Sequence, residues 1–363
     1  MKCRCFFGRW CERCVLQNAK REINLKRSHC IISVLSVCLV CVCLSLERAE
    51  AYEVRKVQAV CNKISDLSLS KLDLVANIDF HSPDENSVSK KLGSILTYPQ
   101  GFYIDEKNQD LYLLRYTDSL PKKAILEIYS WPKAEYRKTL YLKDTGGVVS
   151  EGVVVKDKGK KRFVYIRAKN GMKIYEFFAN DDNEIEVSGR SAANVSMAQS
   201  FSLFKGKWYI ESLGNSSLGL SSRGRYNVYD KNFSELGSVE FDAGIAGYKN
   251  SQEMDLFKHQ GFLKYEDGFA MSIGGFWRRS EKISEYGTQG IALFDDGGKC
   301  REFYIMPADK MADDLERKRV IVDRLENEGI QVLNNGNFIL LNVSQIYRGR
   351  SGGIVLLKVD LDK

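Results

Sequence analysis

The sequence predicts an all-β chain: a five-bladed β-propeller closed by an N-terminal strand, with a short helical insertion before the last blade. The first observation is a short word spelt five times: Pro99-Gln100-Gly101-Phe102, Ser150-Glu151-Gly152-Val153, Ala198-Gln199-Ser200-Phe201, His259-Gln260-Gly261-Phe262 and Asn327-Glu328-Gly329-Ile330. Each copy sets an amide or carboxylate before a small residue and then an apolar one. The small residues lie 51, 48, 61 and 68 positions apart, the spacing of an array of repeated β units. The second observation is that the same order follows each copy: an apolar run, a polar or Gly turn such as Glu266-Asp267-Gly268 or Asn334-Asn335-Gly336, and two or three further runs rich in β-branched and aromatic residues. The third is that the last unit ends after its third strand, because Asp360 to Lys363 leave no room for another.

Taken in order, the first 30 residues hold eight Lys and Arg against two Glu, and Ile31 to Leu46 is uncharged and apolar. Ala49-Glu50-Ala51 then offers small residues where a signal peptidase reads, so residues 1–51 are expected to be an export signal or a retained signal anchor. Residues 52–363 form a single propeller in this reading, with blades beginning near 99, 150, 198, 259 and 327. Leu72-Asp73-Leu74-Val75-Ala76-Asn77-Ile78 is the strand expected to complete the last blade. The polar stretch His81 to Lys91 reads as a loop into the first blade. Two insertions break the spacing: Gly244 to Lys258, and Pro307 to Asn327. In the second, Met311, Leu315, Val322 and Leu325 fall at near-helical intervals, predicting a short helix packed on the ring.

The leader distorts the whole-chain statistics. It carries nine of the 54 basic and four of the 47 acidic residues, leaving 45 against 43 and a net charge of +2. The basic balance is therefore no argument for nucleic acid, and contact with a membrane is expected only through the N-terminal segment. It also holds eight of the ten cysteines. Cys11 and Cys14 have the spacing of a zinc knuckle, but no second pair or His follows at the required distance. Only Cys61 and Cys300 remain. In an exported chain they invite pairing, because Cys61 precedes the closing strand and Cys300 begins the outer strand of the neighbouring fourth blade; two free thiols are the alternative.

In a propeller the innermost strand starts near the axis on one face, and the loops joining second to third strands rise from that face. Gln100, Glu151, Gln199, Gln260 and Glu328 are therefore candidates for a ring at the mouth of the central channel. The surrounding loops are expected to carry Arg115 with Tyr116, Arg167, Arg223 with Arg225, Trp277 with Arg278, and Tyr347 with Arg348. Arg forks bind phosphates and carboxylates, and aromatic faces stack on sugars. The ring side chains have a simpler alternative use, hydrogen-bonding the next blade's backbone to lock the ring. Glu151 and Glu328 with the three amide oxygens could also hold a divalent cation at the channel mouth.

Catalytic constellations are scarce. Beyond the leader there are only His81 and His259, no Gly-x-Ser-x-Gly elbow and no P-loop. Glu151 and Glu328 are the only acids at the motif positions; a propeller glycosidase uses two or three converging carboxylates, so these two leave no spare member to modulate the acid and the nucleophile or base.

The run Pro99 to Asn108 followed by Leu111-Tyr112, and the later His259-Gln260-Gly261-Phe262, resemble blade openings of the TagC-like β-propellers. That family includes teichoic acid biosynthesis protein C, helveticin J-type class III bacteriocins and receptor-binding domains of phage tail proteins. The resemblance covers most of residues 95–363 and implies a five-bladed propeller, secreted, periplasmic or displayed on the cell surface, that works by contact with cell-envelope polymers. The chain departs from the pattern at Ser200, where Gly is expected, and in its cysteine-rich leader. Two functional readings follow: an exported protein binding an anionic envelope glycan or similar surface polymer, bacteriocin-like or receptor-binding-like, and a secreted glycoside hydrolase using channel-mouth carboxylates.

Overall fold

A computed structural model describes residues 61–361 apart from 80–82, 98, 119, 147–151, 169–170, 180–184, 196–199, 213–224, 242–258, 274–275, 281–282, 285–288 and 348–349. The leader, its cysteines and apolar run, and the insertion at 244–258 lie outside these residues. Among the described residues no helix is long and apolar enough to cross a membrane.

The chain opens with strands β1 (Lys63–Asp66) and β2 (Leu72–Asp79), then helix α1 (Pro83–Leu92). Four-strand antiparallel meanders follow. The first is β3 (Gly101–Asp105), β4 (Asp110–Tyr116), β5 (Ala124–Ser130) and β6 (Tyr136–Lys143). The second is β7 (Val153–Lys158), β8 (Lys161–Ala168), β9 (Gly171–Phe178) and β10 (Ile185–Ala193). The third is β11 (Phe201–Phe204), β12 (Lys207–Glu211), β13 (Arg225–Tyr229) and β14 (Glu235–Glu240). In the fourth, β15 (His259–Tyr265) and β16 (Gly268–Ile273) are separated by the small hairpin β17 (Phe276–Arg278) and β18 (Ile283–Ser284) from β19 (Gly290–Phe294) and β20 (Cys300–Ile305). Helix α2 (Ala308–Arg317) leads into β21 (Arg324–Val332), β22 (Phe338–Tyr347) and β23 (Arg350–Val359).

The expected closing strand is in place. β2 runs antiparallel to β23, with Leu72 opposite Val359 and Ile78 opposite Ile354. The first strands of the meanders touch in a cycle, β3 to β7 to β11 to β15 to β21 and back to β3. Together they line one central channel, which is the radial plan of a β-propeller.

Burial falls off at the rim. β4 and β16 are buried at every position, as strands covered on both faces must be. The outermost β14 is exposed at five of its six residues. Apolar clusters fill the spaces between successive meanders: Leu114 and Ile128 with Val155 and Val164, Trp208 with Met172, Phe241 with Phe269 and Phe294, Leu325 with Leu293, and Leu341 with Leu113. Tight turns set the registers; between β11 and β12, Lys205 and Gly206 both take positive φ, 47° and 77°, the primed-turn twist that suits a two-residue hairpin.

Several expectations are corrected. The stretch His81 to Lys91 is not a loop: α1 occupies Pro83–Leu92, with proline at its first position. Val88 and Leu92, one helical turn apart, bury against Leu96, Ile125 and Tyr141, and two apolar residues in a polar stretch are too few to reveal this by periodicity. Helix α2 is shorter than the apolar spacing over 311–325 suggests. It ends at Arg317 because Arg319 turns left-handed at φ 66°, and Leu325 belongs instead to β21, opposite Trp277.

Two pairings were not expected. β1 adds to the outer edge of the fourth meander in parallel with β20, Lys63 opposite Glu302. At the rim, β10 pairs in parallel with β6, joining the first two meanders into one eight-stranded sheet. Cys61 and Cys300 form a disulfide linking residues 239 apart, which fastens the start of β1 to the start of β20.

Candidate functional site

The repeated word marks the tightest point of the ring. A Cβ on Gly261 would lie 2.7 Å from the Cα of Gly329, and one on Gly101 would lie 3.0 Å from the backbone nitrogen of Gly152. At these two places the small residue is there because neighbouring first strands touch through their backbones. Ser200, the departure from glycine, is buried, and its polar atoms are matched. Its N–H donates to Glu211 Oε2 at 3.0 Å, and its hydroxyl lies 2.6 Å from that of Tyr226.

The residue before the glycine is a bulge in the last two units. In β15 the register jumps from His259 to Gly261, and in β21 from Asn327 to Gly329. Gln260 and Glu328 are thus the extra residues, and a bulge re-aims the side chain it carries. Both are buried, Gln260 at 4% and Glu328 at 2% exposure. Gln260 Nε2 donates to Glu326 Oε1 at 3.2 Å, and Arg324 bonds the other oxygen of Glu326.

Around them lies a concentration of buried polar side chains: Ser272, Gln289, Asn327, Asn342 and Ser344. Asn327 and Asn342 face each other in the ladder. Gln289 Nε2 donates to the carbonyl of Leu325 at 2.8 Å, and Asn327 Nδ2 to that of Ile273 at 3.4 Å. Ser272 Oγ, Trp277 Nε1, Asn327 Oδ1, both amide atoms of Asn342 and Ser344 Oγ make no hydrogen bond among the described residues. Leaving a buried polar atom unmet costs about 1–3 kcal/mol, so such a density in one sector marks a place built for polar contacts.

The remaining sequence candidates fall in different surroundings. Arg115 is inside β4 and wholly buried, not in a loop. Its Nε donates to the carbonyl of Thr97 at 3.0 Å, and its Nη1 lies 3.2 Å from Glu127, which also accepts from Tyr129. Trp277 is likewise in a strand, β17, buried against β21. Arg167 is half-buried within β8, and Arg278 half-buried at the end of β17. Tyr347 ends β22, its backbone opposite Arg350. Gln100 precedes β3, its N–H donating to the carbonyl of Leu114 at 2.8 Å. Glu151, Gln199 and Arg348 lie outside the described residues. No group of three or more His, Cys, Asp and Glu that could hold a metal occurs among the described residues.

Beyond the contacts of Gln260 with Glu326 and of Asn327 with Ile273, side chains outside the repeated word also lock the ring. Gln331 uses both ends of its amide on Ile104, accepting from its N–H at 2.7 Å and donating to its carbonyl at 2.8 Å, and so imitates a strand between the last and first meanders. Ser202 Oγ accepts from the N–H of Lys264 at 3.1 Å between the third and fourth. The channel these strands enclose is about 200 Å³, narrow and lined largely by glycine, valine and phenylalanine.

Sequence reasoning missed Glu326, Arg324, Gln289, Asn342 and Ser344. The signal was present in the run Phe338 to Ser344, where Asn342 and Ser344 interrupt otherwise unbroken apolar residues.

No protein-family model and no curated protein matches this chain. Among solved structures it is similar to the tail fiber of Staphylococcus aureus phage P68, with a TM-score of 0.53 at 9% identity over 80% of this chain and 53% of the other. The chain therefore spans about half the length of that fiber, and the likeness is one of fold. Lower similarity joins it to glutaminyl cyclase of Myxococcus xanthus, TM-score 0.40 at 10% identity over 80% and 97% of the two chains. A family-43 β-xylosidase/α-arabinofuranosidase from a compost metagenome gives a TM-score of 0.39 at 12% identity over 73% and 90%.

Proposed function

We propose that the chain is an exported five-bladed propeller, closed by β2, that binds a hydroxyl-rich anionic cell-envelope glycan or similar surface polymer at the motif end of its ring. The observation that carries this is the buried polar sector of the fourth and fifth meanders. Asn327, Asn342, Gln260 and the serines offer paired donors and acceptors, the chemistry that sugar hydroxyls require. The resemblance of the blade openings to the TagC-like propellers supports the same ligand class. The Cys61–Cys300 disulfide fits an oxidising compartment outside the cytoplasm.

One observation favours a second reading. Glu326, which accepts from Gln260, and Glu328 are both buried in β21, which supplies two carboxylates to a glycoside hydrolase. The test mixes the full chain with a panel of purified envelope polysaccharides, with and without chelator, and measures bound chain and released sugar in the same wells. Saturable binding without release, weakened by Glu328→Gln, is the expected result. Sugar release abolished by that change would replace binding with hydrolysis, and neither binding nor release would overturn both readings.

A further inference from the structure

A second cavity, of about 500 Å³, opens on the same end of the ring but toward its rim. Its position follows from the ladder. Gly101 of the repeated word is opposite Leu114, so β4 ends at the motif end with Tyr116 opposite Ala124, and β6 returns there with Leu142 opposite Ala124. The cavity lies between the C-terminus of α1, the β4–β5 loop and the end of β6.

Four lysines line it: Lys91, Lys122, Lys123 and Lys143, against Asp144 and Glu186. Its floor includes the buried ring of Tyr141, over which Lys91 Nζ stands 3.7 Å from the centroid. The walls are tied together. Lys123 Nζ donates to the carbonyl of Leu92 at 2.6 Å, and Thr145 Oγ1 donates to that of Lys122 at 3.4 Å. Lys143 pairs with Glu186 at 2.5 Å. Lys122, held by this loop, makes no ion pair among the described residues.

We propose that this cavity is a phosphate-binding site, taking a phosphate or phosphodiester group. Ammonium groups act as compact point charges and suit a doubly charged, roughly spherical anion, whereas planar carboxylates are matched by the Arg fork, and no arginine lines the cavity. The cross-linked walls hold the charges in place before the anion arrives, which reduces the ordering that binding requires. The inference stands independently of the polar sector at the mouth, because the two share no residue.

The test titrates inorganic pyrophosphate into the full chain by calorimetry, with Lys122→Glu as the site variant and Lys231→Glu, an exposed lysine in the third meander, as the charge-matched control. Saturable binding is expected, weakened about tenfold or more by Lys122→Glu, the scale of reversing one charge at contact distance in water, and unchanged by Lys231→Glu. A second arm measures co-sedimentation with phosphatidylglycerol vesicles. Vesicle binding that pyrophosphate displaces and Lys122→Glu abolishes assigns the site to a lipid headgroup, and pyrophosphate binding alone assigns it to a soluble phosphate polymer. No saturable pyrophosphate binding, or equal weakening in both variants, overturns the proposal.

Discussion

Gly261→Ala and Gly152→Ala make the same chemical change at equivalent places in the repeated word, yet the structure predicts opposite outcomes. The added Cβ at 261 would lie 2.7 Å from Gly329 Cα, 2.8 Å from Ile330 N and 3.0 Å from Gly329 C. Optimal carbon contacts are about 3.5–4.0 Å, so two strands must part by roughly 1 Å, and backbone cannot rotate away as a side chain would. Overpacking of this kind costs about 1–3 kcal/mol. At 152 the nearest atoms are in Phe201, at 3.4 Å, which is ordinary contact. Nothing is strained there, and restricting the unfolded chain should stabilise by about 0.4–1 kcal/mol. Urea unfolding followed by tryptophan fluorescence reads both. With a slope of about 3 kcal/mol per molar, the midpoint should fall by about 0.3–1 M for Gly261→Ala and stay level or rise for Gly152→Ala. If both variants lose equally, close strand approach is not why the small residue recurs.

Arg115→Ala should lower unfolding stability by about 3–5 kcal/mol by stranding buried Glu127, whereas Lys205→Ala, which breaks an exposed pair with Glu266, should change it by less than about 1 kcal/mol; equal losses in urea would refute the contrast. Removing the disulfide with Cys61→Ser and Cys300→Ser should cost about 5–6 kcal/mol on the loop-entropy scale, since it joins residues 239 apart. A change below about 1 kcal/mol would mean the unfolded chain gains little freedom from the cut. Glu302 anchors β1 through Lys63 and Ser65. Burial pushes its carboxyl up, but hydrogen bonds from Lys63, Ser65 and Tyr304 outweigh it and hold the group below its ordinary value. A depressed acid stabilises above its unfolded value and loses that contribution as pH falls through the folded one. Glu302→Gln should therefore flatten the acid limb of the stability profile below about pH 4.5, the region of an ordinary glutamate; an unchanged limb would show that the strand is not held by this charge.

The repeated word and the punctuation behind it made the radial plan legible, because close approach of the first strands calls for a small residue at the same place in each repeat, and at Gly101 and Gly261 the neighbouring backbone leaves no room for a Cβ. The closing strand was legible for a related reason: a last unit one strand short needs a partner from the other end. What escaped was whatever depends on neighbours distant in sequence. Arg115 reads as a loop cation until Glu127 and Thr97 are seen around it. The rim pairing of β6 with β10 rests on backbone amides that any sequence carries. The polar sector was half visible: Gln260 and Glu328 stand in the repeated word, but their bulge depends on the register of β16 and β22. Gln331, which shares the locking of the ring with Gln260 and Asn327, lies two residues beyond Gly329, where nothing in the sequence sets it apart from an ordinary strand residue.

The disulfide also changes what happens when the closing strand lets go. Cys61 precedes Leu72 by 11 residues and remains bonded to Cys300, so a detached β2 is tethered on both sides, by this short link as well as by the chain that runs through α1 to β3. A flexible tether of that length holds its segment at an effective concentration in the millimolar range. Re-docking on β23 is then an intramolecular event, faster than any encounter with another molecule's strand at ordinary protein concentrations. The exposed edge of β23 is reclaimed before a second copy can add to it. The bond thus acts as a kinetic guard against exchange of closing strands between molecules, a hazard inherent in a ring completed from its opposite terminus.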